Sequence, residues 1–231
     1  MTRTHQALVA IVTMTILVLT GCTNNFFSSL DEPDPGPSAA DLRNIYNDPD
    51  ATAAERMDAA SRAGTQTIVD NDDALQTVTN FSNVIATLTN SEDGEISSEQ
   101  IISDLFPDNM SDEEAGAMID TFLAAAGDFS AFAAATGDLG DDEDPLNSGE
   151  KGDTVQMAVI SLAIEKVLAA GGDTDDPNNP NRQALIDLAT GSKSPEDITF
   201  SGSADAFENL GADDGSDLGN LIQYAGLGDT F

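Results

Sequence analysis

Apolar residues recur along most of this chain at steps of three and four, the spacing that lines one face of an α-helix. Sustained period-two alternation, the mark of a half-buried strand, is absent from the sequence. Ser38 caps a short helix running through Asn47, and Thr52 with Glu55 forms a capping box ahead of a helix over Ala53 to Val69. After a break at Asp70-Asn71-Asp72, a helix from Asp73 carries the stripe Leu75, Val78, Phe81, Ile85 and Leu88. A short helix over Ser98 to Phe106 stops at Pro107. Ser111 and Glu114 make a second capping box for a helix to Ala126, with Met118, Ile119, Phe122 and Leu123 inward. Gly127 is expected to end it, leaving Phe129 and Phe132 on a separate alanine-rich helix to Thr136. Thr154 is expected to cap Val155 to Ala170, whose apolar residues nearly surround the axis, as in a helix at the centre of a core. Gly171-Gly172 stops that helix, Pro180 opens another through Thr190, and short helices near 195–198, 204–210 and 217–225 follow. The pattern predicts an all-α protein, an irregular helical bundle or a helical-repeat-like array of short helices joined by acidic loops. The acidic, glycine-rich stretch 137–153 is the candidate internal boundary of a domain spanning 38–231.

The start of the chain reads differently. Residues 7 to 19 are mostly apolar and follow Arg3, a run too short for a transmembrane helix and suited to a signal peptide. It leads into Leu19-Thr20-Gly21-Cys22. These residues resemble the lipobox of bacterial lipoproteins, which implies cleavage before Cys22 and a covalent lipid on that residue. Residues 1–21 would then be a signal peptide, and the acyl chains would tie the protein to a bilayer. Thr23 after the cysteine does not read as a signal for retention in the inner membrane, which points to the outer membrane. Residues 22–37, with Asp31-Glu32-Pro33-Asp34-Pro35-Gly36-Pro37, form an extended tether, because successive prolines block helix and strand alike.

Charge narrows the partners. The chain has 42 acidic residues against 8 basic ones, a net charge of −34. Loss of Arg3 with the leader gives −35. Such a field repels the phosphates of nucleic acid and anionic lipid head groups. It also opposes compaction unless counter-ions screen it, and carboxylate excess with few lysines resembles the surfaces of proteins from saline habitats. The one histidine, His5, lies in the leader, and Cys22 is the one cysteine. The mature chain therefore lacks the residues for Ser-His-Asp or Cys-His catalysis, for Cys/His zinc sites and for an internal disulfide. Oxygen ligands remain, and these suit calcium or magnesium.

Several stretches carry candidate chemistry. Thr89 to Gln100, between two predicted helices, resembles an EF-hand loop, with Asp93, Glu95 and Ser97 as metal ligands and Gly94 at the sharp turn. Thr89 stands where the motif has Asp and Gln100 where it has a bidentate Glu, so the resemblance implies weak calcium binding. Asp173-Thr174-Asp175-Asp176 and Asp213-Asp214-Gly215-Ser216-Asp217 are further oxygen-rich turns. Ser148-Gly149-Glu150-Lys151 has S-x-x-K spacing, but Gly149 and Gly152 disfavour the helix that would bring lysine to serine, and no S-D-N or K-T-G accompanies it. Lys166 reads as a salt-bridged or snorkelling residue, and Tyr224 as packing for the last helix. No catalytic residue is assigned. The reading is a non-catalytic binding or assembly module, lipid-anchored through Cys22, whose partner is another envelope protein and whose cofactor, beyond the lipid, is at most weakly held calcium. A calcium-dependent helical module and a carboxylate-based cell-wall hydrolase are the alternatives.

Overall fold

The computed structural model describes residues 36–90, 104–107, 109–139, 144–202 and 216–225. The signal segment, most of the tether, Cys22, Asp93, Glu95 and Ser97 lie outside the described residues. Among those described there are α-helices and no strand. The helices are α1 (Ala39–Tyr46), α2 (Ala53–Val69), α3 (Asp72–Asn90), α4 (Asp112–Gly137), α5 (Ser148–Gly171), α6 (Pro180–Ala189) and α7 (Asp217–Tyr224), with a 3-10 turn at Pro195–Asp197. The all-α expectation holds.

Helix starts follow side-chain chemistry. Ser38, Thr52, Ser111 and Asn147 each accept a backbone N–H from the residue three positions on. Asp41, Glu55, Glu114 and Glu150 return the bond to the cap backbone, closing four reciprocal boxes that satisfy otherwise orphaned donors. The connections share a second device. Asp48, Asp144 and Asp176 each precede a proline, and each accepts the N–H of the residue two positions on, at 2.9, 3.0 and 2.9 Å. Proline fixes the backbone while the aspartate closes the turn.

Two expected boundaries are overturned. Gly127 does not end a helix, since α4 runs unbroken from Asp112 to Gly137, 26 residues in all. A mid-helix glycine costs about 1 kcal/mol relative to alanine, and burial of Phe129 and Phe132 beyond it outweighs that. Thr154 does not cap α5, because Asn147 does so seven residues earlier, and Thr154 is buried inside the helix. Gly149 and Gly152 are helical in spite of their propensity, so the acidic connection shortens to 138–147.

Helix α4 is the spine. It packs against α2, α3, α5, α6 and α7, and an ion pair ties it to α1. Its Phe122, Phe129 and Phe132 are fully buried with Met118 and Ile119. They meet Met57 and Ile68 of α2, Val78 and Phe81 of α3, Val155, Val159 and Leu168 of α5, and Leu221 of α7 in one continuous core. That core draws on both sides of 138–147. The closest neighbours are α2 and α4. Ala60 and Gly64 present a small face there, and a Cβ at Gly64 would stand 2.7 Å from the Phe129 ring. A smaller cluster of Leu42, Ala59 and Ala63 seats α1 on α2. By length and composition, α4 and α5 are the two described helices that could cross a membrane, which permits membrane association. Half of the apolar window of α4 and 67% of that of α5 are buried within the bundle, so their apolarity matches central positions in a core.

Candidate functional site

Scarce bases and abundant aspartates meet between elements. Asp128 of α4 is 1% exposed. Arg43 of α1 donates from Nε and Nη2 to its two oxygens at 2.9 and 2.8 Å, a planar fork. Tyr46, one turn on, donates to the same carboxylate at 2.8 Å, and Thr67 of α2 accepts a 3.4 Å bond from the guanidinium. The carboxylate bond holds the Arg43 proton above its ordinary value. Burial, and then the bond to Asp128, pushes the Tyr46 hydroxyl up to about 12. Along the same helix, Arg182 of α6 pairs with Asp120, and Arg56 of α2 reaches Asp138 at 3.1 Å. Three arginines from three helices thus converge on three aspartates along α4 and its cap.

At the junction of the α4–α5 connection, α5 and α7, Tyr224 donates to Asp144 at 2.8 Å. Lys151 lies 3.3 Å from the same carboxylate and 3.6 Å from the centroid of the Tyr224 ring. Burial, and then the bond to Asp144, raises the Tyr224 hydroxyl above its ordinary value. In the last turn of α6, Asp187 accepts from Gln183 at 3.0 Å and from Lys193 of the following turn, and the Lys193 bond is the first cause of its lowered carboxyl. Arg62 pairs with Asp58 along α2. Every described base except Lys166 is therefore ion-paired, in each case with an aspartate. Lys166 is partly buried on α5.

Buried amides perform the same joining work without charge. Gln156 of α5 donates to the Val78 carbonyl at 2.8 Å and to Ser82 at 2.6 Å, locking α5 to α3. Asn179 and Asn181 donate to the carbonyls of Leu168 and Val167, the open C-terminal end of α5, at 2.9 and 2.6 Å. Asn181 also ties down Ser201. Gly171 is required there, because a Cβ would fall 2.4 Å from Asn179 Oδ1.

Two carboxylates face unfavourable surroundings. Burial, and then the neighbouring Glu150, lifts Asp153 to about 7. Glu165 is exposed on α5, and partial desolvation, then Asp217, raises its carboxyl. Asp217 itself accepts a bond from Ser130 of α4.

The sequence candidates fall as follows. Ser148 and Lys151 do lie one turn apart on a helix, contrary to expectation, but the lysine is directed to Asp144 and Tyr224. Tyr224 packs the last helix as expected, edge-on to Phe132 at 5.7 Å. In the turn Asp173-Thr174-Asp175-Asp176, the carboxylates of Asp173 and Asp176 accept backbone N–H bonds of the turn itself. Helix α3 extends to Asn90, so Thr89, the first position of the EF-hand-like stretch, is helical. Among the described residues no three acidic, histidine or cysteine side chains form a metal-holding group. The Arg43–Asp128–Tyr46 node and the Asn179–Asn181 node were missed by sequence reasoning. The spacing of Arg43 and Tyr46 on one face of α1, and the Asn-Pro-Asn at the start of α6, were the available signals. No family model and no curated protein matches this chain, and no solved structure matches its fold.

Proposed function

We propose that this chain is a lipid-anchored protein of the bacterial envelope whose acidic helical domain acts as a non-catalytic binding or assembly module. The observation that carries the reading is the run Leu19-Thr20-Gly21-Cys22 after a short apolar segment. Acyl chains on Cys22 would hold the domain at a bilayer, at about 0.8 kcal/mol per buried methylene. Residues 22–37 would space it from the surface, and the absence of a retention signal at Thr23 favours the outer membrane. The non-catalytic half is supported by the positive roles found for the polar groups. Arg43, Arg56, Arg182, Gln156, Asn179 and Asn181 are all engaged in joining elements. The strong negative field fits a protein partner and disfavours nucleic acid.

The test is expression of the full chain and of Cys22→Ser in a Gram-negative host. The wild type is expected in a membrane fraction that resists high-salt washing, with Cys22 as its first residue and a mass excess of acyl chains. Cys22→Ser is expected to lose both. A wild-type protein with its leader intact and a free thiol overturns the anchor. The module half is read by cross-linking in intact cells. One envelope protein is expected to recur with the wild type and to vanish with Cys22→Ser, and failure of any partner to recur overturns that half.

A further inference from the structure

The last described helix is short. Eight residues of α7 make about two turns, well below the ~12–15 at which an isolated helix holds in water. Its helicity therefore depends on its dock, and folding and docking of α7 are one event. Among the described side chains, Leu221 is fully buried, Gly219 is buried, and Tyr224 stands edge-on to Phe132. Polar contacts sit at the two ends. At the C-terminal end, Tyr224 is seized twice, through its hydroxyl by Asp144 and through its ring face by Lys151. Asp144 belongs to the connection before α5, and Lys151 to the first turn of α5. This one cluster therefore ties α7 to a stretch of chain 80 residues earlier, at the entry to α5. At the N-terminal end, Ser130 of α4 donates to Asp217.

We propose that α7 is a latch: a separately opening element clasped by Asp144 and Lys151 on Tyr224, which when released uncovers Phe132 and the α4–α5 face beneath Leu221. The balance follows from the contacts. The clasp supplies a charge-assisted hydrogen bond and a cation–π contact. A helix too short to hold alone and clasped by polar bonds at its ends belongs to the low-stability part of a fold, which opens without global unfolding. The inference is independent of the lipid anchor and of any partner, because the latch is a property of the folded chain.

Hydrogen exchange on the full chain reads it directly. Amides of 220–225 are expected to exchange faster than those of α4 and α5, by opening that leaves those helices protected. Tyr224→Phe keeps the ring but loses the bond to Asp144, and is expected to speed exchange in 220–225 about tenfold with α4 unchanged. Lys151→Met keeps the aliphatic stem but removes the charge over the Tyr224 ring, and is expected to speed exchange in the same segment. It keeps the test decisive if Tyr224→Phe fails to fold. Equal protection of α7 and α4, a uniform change across both helices with Tyr224→Phe, or no faster exchange with Lys151→Met overturns the latch.

Discussion

Asp128 is a charge held in an apolar bundle, and its satisfaction is divided between a fork from Arg43 and the hydroxyl of Tyr46. The two partners differ in consequence. Removing Arg43 leaves a buried carboxylate without its counter-charge, so Arg43→Ala is expected to cost about 3 kcal/mol. The low end of the usual range applies, since the Arg43 side chain is itself 41% exposed. Tyr46→Phe removes one hydrogen bond to a charged group and is expected to cost about 1.5 kcal/mol. Replacing both ions together, Arg43→Met with Asp128→Leu, is expected to recover most of the loss from Arg43→Ala, because no uncompensated charge remains. Urea unfolding of the three variants checks the order. If Arg43→Ala alone were neutral, the node would not be what seats α1 on α4.

Between helices, the same residue type has opposite meanings at two places. Gly64 of α2 faces Phe129 with no room for a methyl group, whereas Gly127 of α4 is exposed with nothing within 4 Å of a built Cβ. Gly64→Ala forces the α2–α4 contact apart and is expected to cost about 1–3 kcal/mol. Gly127→Ala gains helix propensity and is expected to stabilise by about 0.5–1 kcal/mol. Thermal melts with opposite shifts verify this pair, and a neutral Gly64→Ala would show that Phe129 can give way. These two glycines also show what the sequence made legible. Capping boxes at Thr52 and Ser111 were readable because their chemistry is local. The box at Asn147 escaped notice, since two following glycines argued against the helix it opens, and propensity lost to burial of Gly152, Val155 and Gln156. Gly127 was misread for the same reason: a local stop signal yields when phenylalanines on both sides enter one core. The aspartates that receive Arg182, Arg43 and Arg56 could not be chosen from 30, because pairing across 62 to 85 residues leaves no local trace.

Over the whole molecule, a few contact pairs work against a dense negative field, and pH and salt act on the two differently. Asp153, lifted to about 7 by burial and then by Glu150, binds its proton more tightly in the folded chain. Its stabilising contribution is present in full below the unfolded value of 3.8 and is lost as pH rises through about 7. Glu165 acts in the same direction. Glu55 and Glu114, held low by bonds from Thr52 and Ser111, and Asp187, held low first by Lys193, act in reverse, and their contributions are lost as pH falls below the ordinary carboxylate range. Stability is therefore expected to peak near pH 5 and to decline toward pH 8, and Asp153→Asn is expected to flatten that decline; superimposable pH profiles for the two proteins would refute it. Salt tests the field. The Debye length falls from ~10 Å at 0.1 M to ~3 Å at 1 M. The Arg43–Asp128, Arg56–Asp138 and Lys151–Asp144 contacts lie at 2.8, 3.1 and 3.3 Å, close to that shorter length, whereas repulsion among 42 acidic groups acts mostly well beyond it. Screening therefore removes more repulsion than attraction, and the melting temperature is expected to rise between 0.1 and 1 M sodium chloride. Potassium chloride is expected to act equally, because a field distinguishes ions by charge alone. A rise produced by millimolar calcium and by neither monovalent salt would instead assign the effect to a defined site.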